Sequence, residues 1–271
     1  MKHSKNLTHY ASRLWLLMKQ LGLLMFLKLK YYATGGNFFV DYGNIKLIFS
    51  NDGDLQELYY HVHCKEYFEN EKRIFQKYLH SGYTAIDVGA NLGFVTVILA
   101  SLVGMCGKVF SFEPSKPVFS KLTKTVADNH LTQVVPYNFA CGATGGRAIL
   151  NKVSSCSGNS SIVSKKVLPG GAEEIEIRPL DSIEDLWKMK VKFLKIDTEG
   201  FESDVLLGAK RLIEVHRPVI YIELGGDYLE STHRSLEILK EFGYQTLIPE
   251  NIDWQNIGNG ANFISLPIVP I

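Results

Sequence analysis

The sequence predicts an α/β fold of the doubly wound, Rossmann-like type, with parallel strands covered by helices on both faces. Two observations support this prediction. From residue 83 onward, apolar runs typical of strands alternate with stretches that have the periodicity of helices. The first of these strands leads into the glycine-containing turn GANLG, at residues 89–93, and then into a helix. Such alternation favours a parallel sheet that binds its ligands at the carboxyl ends of the strands.

The predicted elements follow one another with short connections. Strands are predicted at residues 83–89, 108–113, 133–140, 191–197, 218–224, 244–249 and 262–267, and helices at 94–103, 115–129, 202–216 and 233–243. The last two strands have no helix between them, and one of them is therefore expected to run antiparallel to the rest.

The chain is expected to consist of an N-terminal helical extension, residues 1–35, and one domain, residues 36–271. The domain begins with a hairpin pattern, NFFVDYGNIKLIFS at residues 37–50, in which two β runs flank the turn sequence DYGN. Helices are predicted over residues 51–60 and 69–79, before the alternation of strands and helices begins.

Residues 14–30 of the extension are strongly apolar, but Lys19 and Gln20 interrupt them, so no clean run reaches the roughly 20 residues of a membrane-spanning helix. Three interpretations stay open: a helix packed on the domain or on a partner, a helix that makes peripheral contact with a membrane surface, and a spanning anchor or signal peptide. An inactive protein that binds a membrane or a partner through this helix is therefore an alternative function.

Charge and cysteine content narrow the function classes. The chain has 29 basic and 28 acidic side chains and no basic stripe of the kind that nucleic-acid-binding proteins carry, so no nucleic-acid partner is expected. Its four cysteines are scattered and form no CxxC motif, which is typical of reduced thiols in a cytoplasmic protein.

The turn at residues 89–93 has the features of a ligand-binding turn. Gly89 and Gly93 permit a tight turn and a close approach to the backbone. Asn91 stands where the dinucleotide-binding pattern GxGxxG has its second glycine, which disfavours a pyrophosphate and makes an NAD-dependent oxidoreductase the weaker alternative. Asp87, just ahead of the turn, suits a ligand with a cationic amino acid group.

The next two strand ends complete a nucleoside site. Glu113 ends the second strand of the alternation, where a carboxylate can accept hydrogen bonds from both hydroxyls of a ribose. Asn138 and Phe139 end the third strand and are placed to contact an adenine. A ribose, an adenine and a charged amino acid tail together indicate S-adenosylmethionine as the cofactor.

Four motifs in order resemble those of the FkbM-type methyltransferases: IDVGANLGFVTVILA, VFSFEPS, YNFACGATGG and LKIDTEGFESDVLLGA. This resemblance covers about residues 40–267. It implies a seven-stranded methyltransferase sheet with the last strand antiparallel, and O-methylation of a sugar, glycoconjugate or other small hydroxylated acceptor. The implied cofactor-binding residues are Asp87, Gly89, Ala90, Asn91, Gly93, Glu113, Asn138, Phe139 and Asp197.

The stretch KFLKIDTEGFESDVL places several carboxylates after the fourth strand. Asp197 and Glu199 are the predicted catalytic residues, which would align the acceptor hydroxyl or remove its proton. Glu223, at the end of the next strand, is a predicted substrate contact. If Mg²⁺ were bound, Asp197 and Glu223 would be its ligands with Asp227 nearby, although the resemblance by itself implies no metal. Glu202 is expected to support the turn.

Residues 141–180 form an insert rich in Gly, Ser and Lys. Its two β runs, RAIL and EIEIR, are expected to form a sheet extension, and its polar middle is expected to be a loop beside the ligand crevice. Ser160 and Ser161 in this loop are candidate contacts to the acceptor.

Overall fold

The structure, a computed structural model, describes residues 37–42, 45–50, 68–151, 160–162, 171–226, 228–247 and 261–268, with the backbone alone for residues 37–50. The predictions for residues 1–35 and 51–60 lie outside these residues, as does the interpretation of residues 14–30. Within the described part of the chain, no helix combines the length and the apolar character that crossing a membrane requires.

The strands are β1 (Asn37–Tyr42), β2 (Ile45–Ser50), β3 (Thr84–Val88), β4 (Lys108–Phe112), β5 (Val134–Tyr137), β6 (Ala140–Cys141), β7 (Gly146–Asn151), β8 (Ala172–Arg178), β9 (Val191–Ile196), β10 (Val219–Leu224), β11 (Tyr244–Leu247) and β12 (Ala261–Pro267). The helices are α1 (residues 68–75), α2 (Phe94–Val103), α3 (Lys116–Asp128), α4 (Glu184–Trp187), α5 (Glu202–Gly208), α6 (Lys210–His216) and α7 (Leu229–Glu241).

Seven strands form the central sheet in the order β11-β12-β10-β9-β3-β4-β5. Neighbouring strands from β10 to β5 are parallel, whereas β12 runs antiparallel to both β10 and β11. The predicted doubly wound, seven-stranded fold with an antiparallel last strand is therefore confirmed. The predicted hairpin is also present, since β1 and β2 pair antiparallel over six residue pairs.

Two hydrophobic cores cover the two faces of this sheet. Successive residues of a strand point to opposite faces, so the same three strands supply both cores. One core contains Ala85, Phe193 and Tyr221, and the other contains Ile86, Leu194 and Ile222. Burial on both faces explains why the central strands read as almost continuous apolar runs in the sequence.

The predicted strand at residues 133–140 is divided between two sheets. β5 ends at Tyr137, and Ala140 and Cys141 continue as β6 in a separate sheet with β7 and β8. Pro136 has no amide hydrogen to donate, which β5 tolerates because it is an edge strand.

The predicted helix at residues 202–216 is also divided, into α5 and α6, with the break at Ala209. A second helix start leaves amide groups without helical partners. Asp181 accepts the N–H groups of Arg211 at 2.9 Å and Leu212 at 2.8 Å, so a residue from before β9 caps α6. Two helices have shifted ends: the one predicted at 69–79 ends at residue 75, and the one predicted at 233–243 is Leu229–Glu241.

The β runs of the insert pair with each other, as β7 and β8, but they do not extend the central sheet. With β6 they form a three-stranded sheet in the order β6-β8-β7. Glu173 of β8 accepts the hydroxyl of Ser115 at 3.1 Å and the amide of Lys116 at 3.0 Å. The insert is thereby attached to the start of α3.

Candidate active site

Two rows of residues cross one face of the central sheet. β3, β9 and β10 are in register, with Asp87 beside Lys195 and Lys195 beside Tyr221. The ladder continues beyond the strand ends, since the amide of Asp197 donates to the carbonyl of Val88 at 3.2 Å. The second row, two positions further toward the carboxyl ends, consists of Gly89, Asp197 and Glu223. Both rows lie on the same face because residues two apart share a face of a strand.

Lys195 links the two rows. Its buried ammonium lies 3.3 Å from Asp87 Oδ1 and 3.2 Å from Asp197 Oδ2. It also donates to the carbonyl oxygens of Gly89, at 2.9 Å, and Val88, at 3.4 Å. A buried charge is stable only when it is paired in this way. The lysine therefore holds the ends of β3 and β9 together and neutralises part of the negative charge around it.

The glycine turn, residues 89–93, uses its two glycines for contacts within the protein. Both have positive φ, 76° at Gly89 and 89° at Gly93. A Cβ atom on Gly89 would overlap the carbonyl oxygen of Asp197, and a Cβ atom on Gly93 would lie 2.8 Å from Leu122 Cδ1. The close backbone approach that was predicted for a ligand is thus made at Gly89 by the neighbouring strand end, and Gly93 allows α2 to pack on α3.

Glu113 fixes the conformation of this turn. Its Oε2 accepts a hydrogen bond from the amide of Asn91 at 3.0 Å, and its Oε1 accepts one from the amide of Ser115 at 2.9 Å. The amide of Ala90 donates a hydrogen bond to the carbonyl of Phe112 at 2.9 Å. Burial raises the pKa of Glu113 to about 7, although both amide bonds favour the ionised carboxylate. The carboxylate therefore lies at the glycine turn, and its contact with a ribose stays a prediction.

Asp87 is fully buried beneath the turn. Its Oδ2 accepts a hydrogen bond from the hydroxyl of Thr96 at 2.6 Å, and its Oδ1 faces Lys195. The Thr96 hydroxyl also contacts the hydroxyl of Ser111 at 3.0 Å. The carboxylate is thus committed to α2 and to the lysine. Its direct contact with a cationic amino acid group stays a prediction.

The side chains after β5 are also engaged within the protein. Asn138 Nδ2 donates to the carbonyls of Glu113 at 2.9 Å and Pro114 at 3.0 Å, which positions the segment that carries Glu113. Phe139 is buried, and the Arg178 guanidinium lies 4.9 Å from its ring centroid. The contacts of Asn138 and Phe139 with an adenine stay predictions.

Glu202 organises the acidic turn, residues 197–202. Its buried Oε1 accepts the amides of Thr198 at 3.1 Å and Gly200 at 3.0 Å, and also the Thr198 hydroxyl at 3.0 Å. Its Oε2 accepts the hydroxyl of Ser231 at 3.1 Å. Glu202 therefore supports the turn, as the sequence predicted. Asp197 and Glu199 are not needed for these hydrogen bonds and are available to contact a ligand.

Glu199 and Glu223 are the strained and crowded members of the site. Glu199 has φ 54°, a left-handed conformation that is uncommon for a residue other than glycine. Burial, followed by the charges of Asp197 and Glu223, raises the pKa of Glu199 to about 8. The charge of Asp197, followed by burial, raises the pKa of Glu223 to about 8, and Lys195 offsets only part of this effect. Asp197, Glu199 and Glu223 are thus close enough for their charges to interact.

Ser161 connects the insert to the acidic turn. Its hydroxyl donates to the carbonyl of Glu199 at 2.7 Å, and its backbone forms a two-way bridge with Asn151, with both bonds at 3.0 Å. Ser160 is next to it and half-buried. Ser161 therefore lies beside the predicted catalytic residue Glu199, and the contact of Ser160 and Ser161 with an acceptor stays a prediction.

The metal alternative finds two of its predicted ligands, Asp197 and Glu223, at neighbouring strand ends. In the described ranges, however, no group of three or more His, Cys, Asp and Glu side chains is arranged to hold a metal ion. Asp227, the predicted neighbour, lies outside the described residues.

Three residues of this face were missed by sequence reasoning: Lys195, Tyr221 and Glu71. Tyr221 donates its hydroxyl to Oε1 of Glu71, on α1, at 3.0 Å in a buried contact. One signal was available, because a lysine inside a buried strand requires a carboxylate partner. The contact between Glu71 and Tyr221, in contrast, joins residues far apart in the chain and has no local pattern.

The arrangement can bind a cation and hold or accept protons. Among the described residues, this face carries more carboxylates than Lys195 neutralises, and two of them have pKa values of about 8. A carboxylate with such a pKa is suited to general base catalysis.

The methyltransferase FkbM domain is the family whose sequence profile matches this chain, over residues 87–246, which is more than half of its length. Among curated proteins, no significant match is found.

Several solved structures align with most of this chain. A methyltransferase FkbM from Methylobacillus flagellatus KT has 18% identity and a TM-score of 0.48, with 77% of this chain and 52% of that chain covered, so this chain spans about half of that relative. A Clostridium thermocellum protein, provisionally named an rRNA methylase, has 18% identity and a TM-score of 0.48 over 74% of this chain and 95% of that one. A SAM-dependent methyltransferase from Aquifex aeolicus has 17% identity and a TM-score of 0.44, with 73% and 89% covered.

Proposed function

The chain belongs to the methyltransferase FkbM domain family, and we propose that it uses S-adenosylmethionine to methylate a hydroxyl group of a sugar, a glycoconjugate or another small metabolite. The observation that carries this proposal is the row of Asp197 and Glu223 at the carboxyl ends of β9 and β10, beside the glycine turn and close to Glu199.

The residues present fit this cofactor. The conformation of the glycine turn is fixed by a hydrogen bond from the Asn91 amide to Glu113. The turn lacks the GxGxxG motif that binds a pyrophosphate, which suits a ligand without one. Glu113 lies beside the turn, where its remaining lone pairs are available to a ribose. The excess of carboxylates on this face is electrostatically suited to a cationic ligand. When bound, S-adenosylmethionine supplies an electrophilic methyl group on a positively charged sulfur.

The acidic residues have two roles in this proposal. Asp197, held by Lys195, positions the acceptor hydroxyl at the strand end. Glu199 or Glu223 accepts the hydroxyl proton as the oxygen becomes a nucleophile, because a base is most effective when its pKa lies near the working pH. Fixing the two reacting groups relative to each other accounts for a large share of catalysis in reactions of this kind.

The chemistry of the site also supports an uncharged acceptor. Carboxylates accept hydrogen bonds from hydroxyl groups, and several such acceptors close together suit a polyhydroxylated molecule. A phosphate or carboxylate on the acceptor would be repelled by Asp197 and by the ionised forms of Glu199 and Glu223.

Cofactor binding tests the proposal directly. We expect isothermal titration calorimetry to detect binding of S-adenosylhomocysteine and no binding of NAD. Glu113→Gln, which keeps one oxygen for a backbone amide, should weaken S-adenosylhomocysteine binding about tenfold, whereas Glu241→Gln at the exposed end of α7 should not. Binding of NAD without binding of S-adenosylhomocysteine would contradict the proposal.

The acceptor is identified in a second experiment. Purified protein is incubated with labelled S-adenosylmethionine and extracts of glycans and small metabolites, and labelled products are analysed by mass spectrometry. We expect a product with an added mass of one methylene on a hydroxyl group, and label found only on amines would contradict O-methylation. Treatment with EDTA followed by Mg²⁺ tests the metal alternative in the same assay.

A further inference from the structure

Glu71 is a buried carboxylate with half of its hydrogen-bonding capacity unused. The residue is 6% exposed and lies on α1, outside every sequence motif of the family resemblance. Its Oε1 accepts the Tyr221 hydroxyl at 3.0 Å, whereas its Oε2 has no hydrogen-bond partner among the described residues. A buried polar atom without a partner is destabilising, and in native proteins it calls for an explanation such as an unseen ligand.

The position of Glu71 points to the site that the two rows form. Tyr221, which holds Oε1, is the register neighbour of Lys195 on β9. The charges of Lys195 and Asp197 both act on Glu71, the first lowering and the second raising its pKa, although burial has the largest effect and raises it. Glu71 therefore lies on the same face as the acidic turn, on the side of β10.

The other carboxylate expected to receive a cation is already occupied. Asp87 is fully buried, its Oδ2 accepts the hydroxyl of Thr96, and its Oδ1 is ion-paired with Lys195. Glu202 accepts four hydrogen bonds within its own turn. Asp87 Oδ1 has no hydrogen bond either, but it is ion-paired with Lys195, whereas no hydrogen bond or ion pair within the described residues engages Glu71 Oε2.

We propose that Glu71 accepts a hydrogen bond from the α-ammonium group of the methyl donor, which makes it a cofactor-binding residue contributed by α1. This inference rests on the proposed function, since it assigns a residue to the cofactor named there. An ammonium group supplies three N–H donors and a positive charge, so it satisfies Oε2 and compensates the negative charge of the face.

The test compares two ligands that differ in the amino acid tail. S-Adenosylhomocysteine carries the α-ammonium group, whereas 5′-methylthioadenosine keeps the nucleoside and lacks the tail. Their Kd values are measured by isothermal titration calorimetry for the wild-type chain, Glu71→Gln and Glu69→Gln. Glutamine preserves the shape of Glu71 and an acceptor for Tyr221, and Glu69→Gln removes a charge from an exposed position of the same helix.

We expect Glu71→Gln to weaken S-adenosylhomocysteine binding about ten- to a hundredfold and to leave 5′-methylthioadenosine binding unchanged, because only the first ligand carries the ammonium group. Glu69→Gln should change neither Kd. Glu71→Asp, which retains the charge but withdraws it by one methylene, should give a smaller loss that is again confined to S-adenosylhomocysteine. This variant also serves if Glu71→Gln does not fold.

Two results would overturn the inference: an unchanged Kd for S-adenosylhomocysteine in Glu71→Gln, or an equal loss for both ligands, which would indicate a general structural role. Failure of the proposed function gives a different result, namely no binding of S-adenosylhomocysteine by the wild-type chain.

Discussion

The glycine turn and the acidic turn lie side by side at the ends of β3 and β9, and they treat their carboxylates in opposite ways. At the glycine turn, each oxygen of Glu113 accepts a backbone amide, and Asp87 is bound by Thr96 and Lys195. At the acidic turn, Glu202 accepts four hydrogen bonds, but the charge of Asp197 raises the pKa values of Glu199 and Glu223, although Lys195 forms an ion pair with Asp197.

This difference separates a preformed cradle from a reactive site. The glycine turn has its polar groups bonded within the protein, so it keeps its shape before a ligand arrives. At the acidic turn, repulsion between neighbouring carboxylates contributes to the raised pKa values of Glu199 and Glu223, whereas at the glycine turn burial raises the pKa of Glu113 and its two amide hydrogen bonds lower it. The two turns are in contact through the backbone of Gly89 and Asp197. The hydrogen-bonded glycine turn therefore lies directly beside the carboxylates of the acidic turn.

The largest effect is expected from Asp197→Asn, which acts on the reactive side of this comparison. Loss of a carboxylate that positions the acceptor or acts as the general base typically lowers turnover by about 10²–10⁴-fold. The measurement is transfer of labelled methyl groups to the acceptor extract, with the Kd for S-adenosylhomocysteine determined in parallel. We expect the turnover to fall far more than the affinity. Asp204→Asn, in the first turn of α5, is the control and should retain full turnover.

An Asp197→Asn variant that loses affinity and turnover by the same factor would show that the residue serves the cofactor alone. The division between cradle and reactive site would then be wrong at this position.

The next effect concerns the contact between the two turns. Gly89→Ala places a Cβ atom on the Asp197 carbonyl and should lower the free energy of unfolding by about 2–5 kcal/mol, from overpacking added to left-handed strain. Gly82→Ala is the matched control, because Gly82 has a similar φ of 84° and no atom within 4 Å of an added Cβ, so it should cost about 1–2 kcal/mol. Urea denaturation measures both. Equal losses would show that the turns do not press on each other.

Glu202→Gln tests whether the acidic turn depends on a single carboxylate for its shape. Glutamine has one acceptor oxygen where Glu202 uses two to receive four hydrogen bonds. The charge-assisted part of these bonds is lost, and we expect a decrease of about 1–3 kcal/mol in the free energy of unfolding. Glu241→Gln, at an exposed position, should stay within about 0.5 kcal/mol of the wild type. A neutral Glu202→Gln would mean that the turn is held by other contacts.

The architecture was accessible from the sequence because its signals are local. The strand at 83–89, the helix at 94–103 and the antiparallel closing pair all follow from periodicity and connection length, and all are present. The strand at 133–140 and the helix at 202–216 were predicted as continuous because their breaks are set by the distant partners β8 and Asp181.

The site was accessible only in part, for the same physical reason. Strand ends of a parallel sheet meet at one edge, so Asp197 and Glu223 could be placed together from the order of elements. A lysine within a buried strand indicates that Lys195 needs a carboxylate partner, but the sequence does not identify that partner as Asp87 or place Glu71 beside Tyr221, since these pairs arise from register and from helix packing. Roles that require a ligand, such as those of Asn138 and Ser160, remain predictions.

The smallest expected effect is the contribution of the acidic turn to the pH dependence of stability. Glu199 and Glu223 have folded-state pKa values of about 8, above the ordinary value of 4.5, so their contribution to stability is complete below pH 4.5 and is lost as the pH rises toward 8. The melting temperature of the ligand-free chain should therefore fall between pH 7 and pH 8. Glu113 of the glycine turn, with a pKa of about 7, adds to this fall, so the share of the acidic turn is measured as the difference between the wild type and Glu223→Gln.

Glu223→Gln should make the fall in melting temperature between pH 7 and pH 8 smaller, for two reasons. Glutamine has no proton to release, and its lack of charge removes one cause of the raised pKa of Glu199. The difference in slope is at most about 1.4 kcal/mol per pH unit for each proton involved. Differential scanning fluorimetry of the two chains, with Glu241→Gln as the control, measures it. A wild-type melting temperature that rises over this interval, or an identical slope in Glu223→Gln, would show that the carboxylates of the acidic turn are as well compensated as those of the glycine turn.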